Sequence, residues 1–201
     1  MLWLLEGAQV IEIREVGAEA AAQTDLIPNS SRVKSVLTVK EADGGLGGLL
    51  LMEEGVEQPY IKDYDSDEEE GAARWGRRFD TSHWGFFLAF DGTDLVGAAT
   101  VAFHSPGVNM LEGRTDLAVL WDLRVHPDRR RSGVGGKLFE RVVEWARQRN
   151  CKQLKIETQN TNVPACRFYA SRGCHLGAIV RNAYKEPQVA HEAMLLWYLD
   201  L

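Results

Sequence analysis

Between residues 133 and 149 apolar side chains return every three or four positions. Val134, Leu138, Val142 and Ala146 form a stripe with Phe139 and Val143 beside it, opposite Arg141, Glu144 and Arg147. That period belongs to an amphipathic helix, the best defined in the chain. Elsewhere the pattern alternates or runs apolar over short stretches, which predicts strands. These are residues 10–16, 33–39, 49–52, 86–90, 95–103, 117–125, 154–158, 177–184 and 193–199. Asp43-Gly44-Gly45 predicts a hairpin turn between the second and third, and Asp91-Gly92 joins the next two. A polar, helix-compatible stretch precedes Leu26, and Pro28-Asn29-Ser30-Ser31 reads as a turn. Pro164 opens a further helix that stops at Gly173. The second half therefore reads strand, helix, strand, helix, strand, strand. This is an α/β pattern with a mixed sheet.

The chain has 201 residues, 45% hydrophobic and 26% charged, which suits one soluble domain over 1–201. Within it, an N-terminal strand and hairpin segment (1–56) precedes the main body (57–201). A net charge of −6 argues against a general nucleic-acid partner, whose phosphates need a basic surface. Cys151, Cys166 and Cys174 are odd in number and lack CxxC spacing, so they read as reduced thiols. The five histidines show no metal-ligand spacing, and no metal is expected. The apolar run at residues 1–5 meets Glu6 too soon for a signal segment and no later stretch is long enough for a membrane span, so a cytoplasmic location is expected. The acidic run at 63–70 reads as a solvated loop or as an attractor for a cationic substrate. Trp75, Phe79 and Trp84, interleaved with Arg74, Arg77 and Arg78, read as core or as the lining of an acceptor site.

The most specific stretch follows the strand at 117–125, where Arg129, Arg130, Arg131, Ser132, Gly133, Val134, Gly135, Gly136 and Lys137 lead straight into the helix. The first turn of a helix carries N–H groups without internal partners and a partial positive charge. Glycines let a ligand approach that backbone, making a seat for a pyrophosphate. Two other phosphate motifs fail. A Walker A loop needs glycine at 131 and Ser or Thr at 138, and a dinucleotide fingerprint needs glycine at 138, but the residues are Arg131 and Leu138.

Arg130, Gly133 and Gly135, preceded by Leu123, Val125 and Pro127, resemble the donor signature of the GNAT acetyltransferase superfamily. Asn162, Ala165, Phe168-Tyr169 and Gly173 resemble its second signature. The resemblance covers about residues 84 to 201 well and the N-terminal part loosely. It implies a mixed, mostly antiparallel sheet flanked by helices, and acetyl-CoA as co-substrate. The implied donor contacts are Leu123, Val125 and residues 130 to 137, with Asn162 on the pantetheine arm. Tyr169 is implied as general acid to the leaving thiolate, and the Val125 N–H as donor to the carbonyl oxygen. Glu157 and Asp122 are both candidates for the base or for binding a cationic acceptor, or else salt-bridged strand residues. His126 is a third candidate.

Within the superfamily the chain is most similar to streptothricin acetyltransferases. The shared blocks run from Pro59 to Asp65, Arg74-Trp75, Phe79-Asp80, Trp84, Leu120-Trp121-Asp122, from Ile156 to Asn160, and Leu196-Trp197-Tyr198. That resemblance implies a primary amine on a small cationic antibiotic as acceptor. A protein or peptide N-acetyltransferase and a non-catalytic CoA-binding module are the alternatives, and a homodimer is an open option.

Overall fold

The computed structural model describes residues 10–66 and 71–201; the apolar run at 1–5 and the acidic residues 67–70 lie outside them. The strands are β1 (Ile11–Val16), β2 (Ser30–Glu41), β3 (Leu49–Asp63), β4 (Gly85–Asp91), β5 (Asp94–Ala102), β6 (Leu117–Val125), β7 (Gln153–Gln159), β8 (His175–Val180) and β9 (Met194–Asp200). The helices are the short α1 (Trp75–Arg78), then α2 (Val134–Gln148) and α3 (Val163–Ser171). Seven strands form one sheet in the order β1-β4-β5-β6-β7-β9-β8. Every neighbouring pair is antiparallel except β6 and β7. The sheet is thus mixed and mostly antiparallel, as the resemblance implies.

Helix α2 crosses one face of the sheet. Leu138, Val142, Trp145 and Ala146 are buried there with Phe87, Val101, Ala118, Leu154 and Ile156. Each large side chain so buried contributes on the order of 2 kcal/mol. The helix comes closest over two strand glycines. A Cβ on Gly97 would stand 2.9 Å from Val134 Cγ1, and one on Gly85 2.7 Å from the Trp145 indole. Any larger residue would push α2, and the turn before it, off the sheet. A separate cluster holds Trp75 and Trp84 with Phe86, Val108 and Leu111, so these aromatics are core.

β2 and β3 pair as a two-stranded ribbon outside the main sheet. β3 is longer than the apolar stretch at 49–52 predicts. In its second part the register jumps from Ser35↔Gly55 to Val33↔Tyr60, leaving residues 56–59 opposite Lys34. Pro59 has no N–H to donate and falls in this bulge, where none is needed. The ribbon docks on the end of β7, where Leu37 N donates to Asn160 O (2.9 Å) and Asn160 Nδ2 donates to Leu37 O (3.1 Å).

A second departure lies at the strand predicted over 177–184. β8 stops at Val180, whose partner is Met194. Just beyond, the Ala193 N–H donates to Asn160 Oδ1 (2.9 Å) and its carbonyl accepts from Asn160 N (2.9 Å). With both groups of Ala193 taken, the ladder closes and the segment 181–193 leaves the sheet.

Candidate active site

The turn from β6 to α2 is shaped by its own arginines. Arg129 pairs with Asp91 (3.2 Å). Arg130 turns back, donating through Nε to Val125 O (3.3 Å) and through Nη2 to Ser30 O (2.7 Å). Ser132 Oγ donates to the Arg129 carbonyl. Arg131 takes φ 63° and Gly133 φ 90°, and the second of these favours glycine because a Cβ is strained there. α2 then starts at Val134 with no side-chain cap on its first turn. The N–H groups of Val134, Gly135 and Gly136 therefore face outward without helical partners. Arg131 and Lys137 stand exposed beside them. Arg131, Lys137 and the helix end thus add positive charge beside that of Arg130, whose partners are neutral carbonyls.

A cleft opens next to this turn. β6 and β7 pair from Leu117↔Gln153 to Leu120↔Ile156, yet β6 continues to Val125 and β7 to Gln159. The divergence starts at a bulge, because the β5 register passes from Val101↔Leu120 to Thr100↔Asp122 and skips Trp121. Strand N–H groups alternate in direction. His126 N donates to Val96 O on the β5 side (2.9 Å), so the Val125 N–H points the other way, into the gap. A Cβ on Gly135 would sit 3.5 Å from Val125 Cγ2 and 3.9 Å from the Phe168 ring, filling the space between β6 and α3. The residues present fit a pyrophosphate and a linear arm entering the gap.

The side chains predicted for chemistry occupy different parts of this frame. Asn162 caps α3, its Oδ1 accepting from Ala165 N (3.3 Å). Tyr169 is buried in α3, its ring against Phe139 and Phe168. Burial, and then the negative charge of Asp122, push its hydroxyl far above the ordinary tyrosine value, so it keeps its proton at neutral pH. Asp122 itself is held by Arg124, whose Nη2 donates to Oδ2 at 2.7 Å and Nε to Oδ1 at 3.0 Å. Arg124 is buried and also donates to Ile27 O (3.1 Å) and Asp65 Oδ1 (3.1 Å), tying β6 to the segment after β1 and to the end of β3. Glu157 is the first β7 residue past the paired part. Burial raises its carboxyl above the ordinary value, while a hydrogen bond from Tyr184 (2.8 Å) and the charge of Lys155 pull it down.

Several functional candidates are missed by sequence reasoning. Glu192, 3% exposed, pairs with Lys62 from β3, and the Lys62 ammonium lies 5.1 Å from the Tyr64 ring centre. The Tyr64 hydroxyl is buried, with the Asn162 side chain acting on it. Burial and the Glu192 charge raise Tyr64, and burial with the charge and hydrogen bond of Glu157 raises Tyr184. This carboxylate and tyrosine group comes from β3, β7 and the segment 181–193, far apart in sequence. Glu157 and the block from Pro59 to Asp65 point to part of it, and Glu192 and Tyr184 go unread.

A strand that parts from its parallel neighbour and empties over an uncapped helix end suits a coenzyme A-dependent acyltransferase. Residues 50–174 match the acetyltransferase (GNAT) family, and the chain belongs to that family. It is an N-acetyltransferase taking its acetyl group from acetyl-CoA. It is 33% identical over 183 residues to a streptothricin acetyltransferase of Escherichia coli, covering 90% of this chain and 91% of that one. It is 29% identical to streptothricin acetyltransferase A of Bacillus subtilis (strain 168), over 73% of this chain and 76% of that one. The crystal structure of a nourseothricin acetyltransferase superposes with TM-score 0.74 at 24% identity, covering 94% of this chain and 98% of the other. A Bacillus anthracis protein provisionally described as a streptothricin acetyltransferase, solved with acetyl coenzyme A, gives TM-score 0.74 at 22% identity over 97% and 99%. At such identities the two structures speak for the fold.

Proposed function

We propose that the acceptor is a primary amine on a small cationic molecule of the streptothricin type. The observation that carries this reading is the set of acids and tyrosines on the acceptor side, Glu192 buried and Glu157, Tyr64 and Tyr184 half-buried. Enclosed carboxylates and aromatic faces favour a compact cation. The names of the relatives in Escherichia coli and Bacillus subtilis support the same class.

Bound acetyl-CoA supplies an activated thioester. The first-turn amides of α2, with Arg131 and Lys137, hold its pyrophosphate, Asn162 orders the pantetheine arm, and the Val125 N–H receives the carbonyl oxygen. The attacking amine must be neutral, although a free alkyl ammonium has a pKa of about 10. Glu157, enclosed and raised, accepts that proton through a water. Tyr169, held protonated, gives its own to the departing thiolate. Asp122, paired with Arg124, orders the strand and adds negative charge beside Tyr169. One domain is the reading for the described residues, supported by β1 pairing into the main sheet and the ribbon docking on β7. Three buried free thiols suit a reducing cytoplasm.

Thiol release from acetyl-CoA, measured with streptothricin, spermidine, lysine and a set of N-terminal peptides, tests the reading. It predicts turnover with streptothricin and an acetylated primary amine by mass spectrometry. Turnover confined to peptides would replace it with a protein N-acetyltransferase.

A further inference from the structure

Tyr184 lies on the segment between β8 and β9, outside the sheet, yet its hydroxyl donates to Glu157 Oε1 at 2.8 Å. Three contacts brace the segment. Arg181 pairs with Glu41 of β2 and Glu192 with Lys62 of β3, while Ala193 is bonded to Asn160. Tyr184 is thus fixed relative to both the ribbon and β7. Glu157 sits where β7 has lost its β6 neighbour, so the backbone alone leaves its carboxylate free to turn. The charged groups around the pair are few. Lys155, on the same strand, is held by Glu112 (2.6 Å), and Glu192 acts on Tyr184.

We propose that Tyr184 is a positioning residue for Glu157: its hydroxyl fixes one carboxylate oxygen, so that the other takes the acceptor's proton in one orientation. The proposal rests on the reading of Glu157 as the base. A hydrogen bond to the ionised carboxylate also favours its charged form, counteracting part of the upward push of burial.

The test compares Tyr184→Phe, which keeps the ring, with Glu157→Gln and the native enzyme over pH 5.5 to 9.5, using kcat/KM for the amine acceptor. Loss of the hydroxyl raises the Glu157 pKa, so the acid limb of the Tyr184→Phe profile moves up by about one pH unit. Activity stays below the native value even at high pH, because the carboxylate is no longer held in one orientation, and it falls roughly tenfold further at low pH, with KM for acetyl-CoA unchanged. A profile superimposed on the native one, or a loss that appears equally in KM for acetyl-CoA, overturns the positioning role. Native turnover in Glu157→Gln overturns the base assignment instead. A 13C NMR titration of the Glu157 carboxyl gives the answer without turnover. An upward shift in Tyr184→Phe is expected, and an unchanged value refutes the proposal.

Discussion

The proposed donor and acceptor sides of the cleft are built on opposite plans. On the donor side the binding groups are main-chain amides of one continuous stretch, and its side chains mostly shape the backbone, as Arg130 does by capping the Val125 carbonyl. On the acceptor side the working groups are side chains, brought together from β3, β7 and the segment 181–193. A backbone seat reads any molecule carrying the same diphosphate and arm. A side-chain pocket can change its guest by single substitutions without touching the fold. One half of the site is fixed by the cosubstrate, and the other is free to follow the acceptor.

Tyr169 stands between the two sides, and its loss gives the largest expected effect. With Tyr169 as the proposed proton donor to the thiolate, Tyr169→Phe is expected to lower kcat by about a hundredfold or more. Acetyl-CoA affinity, measured by calorimetry, stays native because the ring packing survives. Equal turnover would remove Tyr169 from the chemistry. Next comes Gly135→Val, aimed at the donor side alone. A Cβ there meets only ordinary contacts with Val125 and Phe168, so the fold tolerates it while the added methyl groups occupy the seat. Acetyl-CoA binding weakens at least about tenfold with Tm unchanged. Native affinity in this variant would mean that the ligand does not pass over Gly135.

The smallest effect is on stability and belongs to the acceptor side. Burial raises the folded-state pKa of Glu157 above its unfolded value of 4.5, so the folded form binds its proton more tightly than the unfolded one. Its contribution is most favourable at low pH and declines as pH rises through 4.5 toward the folded pKa. Glu157→Gln removes the buried charge. It therefore raises Tm at pH 7 relative to the native protein, and the difference shrinks as the pH falls below 4.5. A lower Tm at pH 7 would show that the charge is compensated in the native pocket.

The same contrast governs what could be read from the chain before its structure. The proposed donor seat lies within Leu123 to Lys137, so local rules for helix ends and glycines are enough to point to it. Helix α2 was legible because one face packs on the sheet and the other meets water, and that asymmetry is written every few residues. The ribbon was half legible. Its second part is exposed and bulged, so no alternation marks it. Lys62, Glu192 and Tyr184 carry no local signal, because what defines them is a partner far along the chain. Arg124 was visible only as a break in an apolar strand, although it joins three parts of the molecule.

Backbone amide NMR during titration with acetyl-CoA tests the central claim most directly. The largest shifts should fall on Val125 and on residues 131 to 137, with smaller ones at Asn162 and Tyr169. Shifts centred instead on the outer face of α2, around Glu140, Glu144 and Arg147, would contradict the donor seat and the chemistry built on it.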